Sequence, residues 1–134
     1  MILSRGMMMQ TRRTQQRDAI RKAFEDNPRP LGPQEILDLA LETAPGLGIA
    51  TVYRTVKKFL RDGVIQPVEL PGAPNRYELT GLDHHHHFCC RACDKVFDVD
   101  GCPDRVSELA PEGFQLESHE VVLYGVCSTC ADTA

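Results

Sequence analysis

Four consecutive histidines, His84 to His87, run through Phe88 and Cys89 into Cys90-Arg91-Ala92-Cys93. After a spacer of 33 residues the chain offers a second pair, in Cys127-Ser128-Thr129-Cys130. Two Cys-x-x-Cys pairs supply the four thiolates that a tetrahedral structural zinc takes, and such a closed site leaves no open position for catalysis. Two disulfides are the competing use of the same residues. Cys89 and Cys102 are left over and read as a buried small hydrophobe or an ordinary free thiol. The histidines exceed what one structural zinc uses, and all five lie in the C-terminal half. Surplus imidazoles beside a closed thiolate site imply a second metal, one that is sensed.

These ligands need elements to hold them. The histidine run reads as the start of a strand, on which alternate side chains face opposite ways. His84 and His86 then share one side and His85 and His87 the other, so each pair can seed its own site. Residues 95–99 read as another strand and residues 103–110 as a short helix. Residues 114–124 read as a long extended segment that carries His119 towards Cys127 and Cys130. Exposed strands in so small a domain invite pairing with a second copy.

The N-terminal half reads differently. A first helix is expected from about Thr14 to Asp26, with Ile20, Ala23 and Phe24 on one face, ended by Pro28 and Pro30. A second starts at about Pro33, carries Ile36, Leu37, Ala40 and Leu41, and breaks at Pro45-Gly46-Leu47-Gly48. A third runs from about Ala50 to Asp62, with Gly63 as its C-terminal cap. Its apolar stripe is Val52, Val56, Phe59 and Leu60; its other face carries Arg54, Lys57, Lys58 and Arg61. That basic ridge suits a major groove, with Thr51 and Tyr53 near the helix N-terminus where bases are met. Residues 64–70 and 76–79 then flank Pro71-Gly72-Ala73-Pro74-Asn75 as a hairpin. Three helices and a hairpin make a winged helix-turn-helix, with Arg76 of the wing set to meet a phosphate.

Charge follows the same division. Residues 1–82 hold 12 Lys+Arg and 9 Asp+Glu, whereas residues 83–134 hold 3 and 10. An acidic protein can still bind nucleic acid through a basic part. No apolar run is long enough to span a bilayer, and the apolar part of residues 1–9 is too short for a signal peptide. A cytoplasmic location is the expectation, and there cysteine pairs bind metal more often than they form disulfides. The expected organisation is α+β. It comprises a disordered tail (1–10), a winged-helix DNA-binding domain (11–80), a hinge (81–83) and a small α/β metal-binding dimerisation domain (84–134).

Taken together, these residues resemble the ferric-uptake-regulator family of metal-dependent repressors. The likeness is carried by Thr14-Gln15-Gln16-Arg17, by Ala50-Thr51-Val52-Tyr53-Arg54-Thr55-Val56 and by Arg76-Tyr77-Glu78-Leu79. It continues in the His-rich run with Cys90-x-x-Cys93 and in Leu123-Tyr124-Gly125-Val126-Cys127-x-x-Cys130. The resemblance implies a homodimer with Arg17 among the DNA-contacting residues. It implies a regulatory site at the hinge from Glu78, His85, His87 and Asp98. It also implies an additional site from His84, His86, His119 and an acidic residue, Asp104, with Glu108 as the alternative. Mixed imidazole and carboxylate ligands suit iron, manganese or zinc, whereas the thiolates suit zinc. Asp94 stands after Cys93 where relatives have glycine, and would be strained if the turn requires a positive φ.

The reading is a dimeric, metal-activated repressor of metal-uptake or peroxide-stress genes that binds an inverted-repeat operator on double-stranded DNA, with no membrane or small-molecule partner and no enzymatic activity. A zinc-uptake regulator of the same family and a metal-storage or chaperone protein are the alternatives. A metalloenzyme is disfavoured because no nucleophile or general base accompanies the histidines.

Overall fold

The computed structural model describes residues 11–103 and 105–132. The expected tail at 1–10 and the proposed ligand Asp104 lie outside the described residues. The chain divides into two compact units, with the break between Thr80 and Gly81. Among the described residues no helix is long and apolar enough to cross a membrane.

The first unit is a winged helix-turn-helix-like bundle of three helices, α1 (Arg12–Asp26), α2 (Pro33–Ala40) and α3 (Ile49–Arg61), followed by strands β1 (Ile65–Val68) and β2 (Arg76–Leu79). Local chemistry sets the helix ends. Thr11 caps α1, its hydroxyl accepting the Thr14 N–H at 3.1 Å, which moves the start slightly ahead of the expected Thr14. Pro33 opens α2, where its missing N–H costs nothing. Glu35 accepts the Gly32 N–H at 3.3 Å and the Arg29 guanidinium at 2.6 Å. Gly63 ends α3 at φ 74°, and the next N–H, of Val64, donates back to the Phe59 carbonyl at 2.9 Å.

Apolar spacing decides the packing. Val52, Val56 and Phe59 of α3 meet Ile20 and Phe24 of α1, Ile36 of α2, Leu31 and Ile65 in one buried cluster. The basic residues of α3 are thereby turned outwards. The wing is an antiparallel pair with Val68 opposite Arg76 and Ile65 opposite Leu79. Leu31 and Tyr77 exchange two backbone hydrogen bonds at 2.8 and 2.9 Å, pinning the wing to the connection between α1 and α2.

The second unit is built on a three-stranded sheet in the order β4-β3-β5. The central strand, β3 (His86–Cys90), runs antiparallel to β4 (Val96–Val99) and parallel to β5 (Val122–Gly125), and a short helix, α4 (Ser128–Asp132), closes the chain. The parallel pair forces a crossover between β4 and β5. Close approach explains Gly125: a Cβ there would lie 3.1 Å from Phe88 Cζ.

Three expectations need correction. The histidine strand begins only at His86, so His84 and His85 approach it from outside. The helix expected over 103–110 is a single 3-10 turn, Val106–Leu109, because it buries no side chain and Leu109 stays exposed. Of the extended segment expected over 114–124, only the end pairs, in Val122–Gly125; residues 112–118 are all exposed and gain no packing that would extend the ladder.

Asp94 does take a left-handed conformation, φ 62°, in the turn between Cys90 and β4. Left-handed backbone costs an ordinary L-residue about 1–2 kcal/mol, less for aspartate and most for a β-branched residue. Thermal unfolding of the zinc-loaded protein should therefore show Asp94→Gly at or above the wild-type Tm and Asp94→Val below it. Equal Tm values for the two variants would contradict the strain.

Candidate functional site

Strand β3 organises three groups of metal-ligating side chains. At its C-terminal end lies the thiolate group. Cys90 closes β3 and Cys93 sits in the following turn. Gly125, opposite Cys90 in the parallel register, brings β5 alongside so that Cys127 and Cys130 arrive at the same place. The four Sγ atoms lie within 4.8 Å of one another, with Cys93 and Cys127 Sγ 3.9 Å apart. A zinc tetrahedron with Zn–S near 2.3 Å has edges of about 3.8 Å, whereas a disulfide would need about 2.05 Å.

Backbone amides prepare this group for a cation. Cys127 N–H and Cys93 N–H donate to Cys90 Sγ at 3.3 and 3.4 Å. Those two N–H groups pull the Cys90 thiol down to about 6. The hydrogen bond with Cys127, followed by burial, pushes Cys130 up to about 12. Four thiolates gathered without a cation cannot all ionise, so they hold protons that a metal replaces. The donor set and spacing fit zinc.

The strand alternation then separates the histidines. His87 lies directly opposite Asp98 across the β3–β4 ladder, and His85, two residues earlier, falls on the same side. His85 and His87 Nε2 each stand 3.6 Å from Asp98 Oδ1, and the two rings are 4.9 Å apart at 79°. His85 Nδ1–H donates to the Asp83 carbonyl at 2.7 Å, which leaves a lone pair on Nε2 facing the carboxylate. Lone pairs of imidazole and carboxylate turned towards one another suit a shared cation. The fourth residue of this expected set, Glu78, is on β2 of the first unit, where its Oε1 accepts the Gln66 amide at 2.9 Å.

The opposite side of β3 carries the third group. His84 Nε2 lies 3.2 Å from His86 Nε2 and 3.3 Å from His119 Nε2. His119 is supplied by the approach to β5. Burial, then His84 and His119, push the His86 imidazole down, towards the neutral form that binds metal. Cys102, carried in by the exit from β4, puts its Sγ 2.9 Å from His119 Nε2 and 3.4 Å from His86 Nε2. Cys102 is a free, exposed thiol, so of the two expected readings the buried small hydrophobe falls and the free thiol stands. Its signal was a cysteine a few residues beyond a strand that already carried a ligand. Glu108, the alternative acidic ligand, is instead paired with Arg105 at 2.7 Å.

The first unit carries a basic groove of about 960 Å³ between the start of α1 and the outer face of α3. Arg12, Arg13, Arg17, Arg54, Lys58 and Arg61 line it together with Gln16 and Thr51. Thr51 holds Arg54 through a 2.9 Å bond from Nη2, and Lys58 is braced by Asp62 at 3.0 Å. Tyr53 and Lys57 are exposed on α3. Arg12, Arg13 and Gln16, which the sequence reading did not single out, also line the groove, although the Thr11-Arg12-Arg13-Thr14-Gln15-Gln16-Arg17 run already concentrated charge at the start of α1. Arg76, expected at a phosphate, is buried at the start of β2, and its Nη1 donates to the Pro74 carbonyl at 3.4 Å.

The family model described as "Ferric uptake regulator family" matches residues 8–124. The ferric uptake regulation protein of Bordetella parapertussis is 34% identical over 106 residues, which is 76% of this chain and 76% of that protein. Among solved structures, a zinc-bound manganese uptake regulator superposes with a TM-score of 0.74 at 28% identity, covering 85% of this chain and 89% of that one. The iron-bound ferric uptake regulator of Francisella tularensis gives 0.66 at 27% identity, covering 88% and 92%.

The cysteine geometry predicts thiol protection. With one equivalent of zinc bound, Cys90, Cys93, Cys127 and Cys130 should react slowly with a disulfide reagent, and a strong chelator should release all four together with structure in the second unit. Fast reaction of these thiols in the zinc-loaded protein would rule out the closed site.

Proposed function

The chain belongs to the ferric uptake regulator family, whose members are transcriptional regulators and not enzymes, and from that premise we propose that it is a metal-activated repressor acting as a homodimer on an inverted-repeat operator. The observation that carries the reading is the pairing, in one chain, of a basic groove on a winged-helix unit with an imidazole–carboxylate set on the central strand of the other unit.

Structural zinc in Cys90, Cys93, Cys127 and Cys130 would order the second unit. The regulatory metal would be held by His85, His87 and Asp98 together with Glu78. Its ligand types suit iron, manganese or zinc. Glu78 lies near the end of the wing, just before the break at Thr80, and the other three ligands follow it. A shared charge across that break favours those orientations of the two units that fit the operator. The regulated genes are those of metal uptake or of the peroxide response. The free thiols suit the reducing cytoplasm.

The dimer is supported by surface chemistry. β5 is an edge strand of its sheet, and its Leu123 and Tyr124 are exposed. Leu109, 81% exposed, and Phe114, 70% exposed, add apolar surface on the crossover. A second copy of this unit would cover that surface and present two α3 helices to the two halves of a palindrome.

Two measurements check the reading. Metal should strengthen binding to an inverted repeat by roughly 5–150-fold, the usual range of allosteric coupling. His87→Ala/Asp98→Ala should abolish that gain while leaving the structural zinc in place. Equal affinity for chelated, metal-loaded and doubly substituted protein would sink the proposal. Separately, Arg54→Ala should weaken binding and lower the magnitude of the salt slope by about 0.9, as expected for one lost phosphate contact. An unchanged slope would place Arg54 away from the phosphates.

A further inference from the structure

We propose that Cys102 is a metal ligand, and that the group on the second side of β3 is a three-imidazole, one-thiolate zinc site assembled from His84, His86, Cys102 and His119. The four donor atoms lie within 4.8 Å of one another, all in the second unit. Zinc with Zn–N near 2.05 Å and Zn–S near 2.3 Å sets tetrahedral edges of about 3.3 Å between nitrogens and about 3.5 Å from nitrogen to sulfur. Of the six edges, two N···N separations are 3.2 and 3.3 Å and two N···S separations are 3.4 and 2.9 Å, and the other two lie within 4.8 Å. Three of the four already match those edges, and the fourth is short by about the amount that a small side-chain rotation of the exposed Cys102 supplies.

The topology explains why this cysteine reaches the site. The exit from β4 and the approach to β5 flank the beginning of β3 from its two sides. Cys102 lies just beyond β4 and His119 just before β5. The central strand supplies His86, and His84 precedes it. The four ligands thus come from three chain segments and close around one point.

One ring needs adjustment. Val121 N–H donates to His86 Nδ1 at 3.0 Å, so the neutral ring carries its proton on Nε2, the atom that faces Cys102. For His86 to coordinate through Nε2 as a neutral imidazole, that proton must pass to Nδ1, which gives up the Val121 bond.

The thiolate changes what the site selects. Carboxylate in the fourth position would suit manganese or magnesium as well as zinc, whereas thiolate with imidazole favours zinc and disfavours the harder ions. The inference extends the metal-binding half of the proposed function. Its test contains no DNA, so it can fail while metal-dependent operator binding stands, and the reverse.

The experiment is a cobalt(II) titration of the full chain with zinc already in the four-cysteine site, monitored by absorption. Cobalt bound by Cys102 gives a thiolate-to-metal charge-transfer band in the near ultraviolet together with tetrahedral ligand-field bands. Cys102→Ser should abolish the charge-transfer band and weaken binding at this site at least tenfold. Asp104→Asn should leave both unchanged, and excess manganese should not displace the cobalt. Retention of one zinc equivalent by each variant confirms that the second unit is folded. A band undiminished in Cys102→Ser, or binding lost in Asp104→Asn and kept in Cys102→Ser, would overturn the assignment.

Discussion

The two-residue alternation of β3 is the constraint on which the metal chemistry depends. A central strand has neighbours on both edges and side chains on both faces. Its histidines must therefore divide between two faces, and neighbouring chain completes each group. Asp98, opposite His87 on β4, meets the His85–His87 face. The segments beyond β4 and before β5 meet the His84–His86 face with Cys102 and His119. A one-residue slip in the register would exchange the partners of every histidine. Packing resists that slip: Phe88 lies against Gly125, where even a methyl group would be crowded. The Cys90 amide also donates to the Lys95 carbonyl at 3.0 Å.

The far end of the same strand holds the thiolates. Cys90 accepts two backbone N–H bonds from segments distant in sequence, so the turn after β3 and the chain after β5 are joined at one sulfur. Zinc there would fix the register that the histidine groups require. In the proposed function a structural ion at one end of β3 and a regulatory ion at the other would be joined by a strand of five residues. Glu78, on the wing, would there be the ligand that joins the regulatory metal to the first unit.

Much of this arrangement was legible in the sequence because it rests on short-range periodicity. Val52, Val56 and Phe59 at helical spacing foretold which face of α3 is buried, and hence that Arg54 and Lys58 face outwards. The alternation of His84 to His87 foretold the two pairs, and the Cys-x-x-Cys spacing foretold the thiolate cluster. Asp94 was recognisable as a residue in a glycine's position. What was hidden lies where no period applies. Cys102 sits in irregular chain, and only the crossover between β4 and β5 brings it to His119. The stretch between β4 and β5 misled for a physical reason: Leu109, Phe114 and Leu116 are apolar enough to suggest regular structure, yet all three stay exposed.

The central claim is that the alternation running from His84 and His85 into β3 sorts four histidines into two separate metal groups. Anomalous diffraction from crystals of the metal-loaded protein, collected across the zinc edge and that of a second loaded metal, tests it most directly. The account predicts three separate peaks: one among the four cysteines, one touching His85, His87 and Asp98 with Glu78 as a further ligand, and one touching His84, Cys102 and His119. A single ion bridging His85 or His87 to His84 or His86 would contradict it.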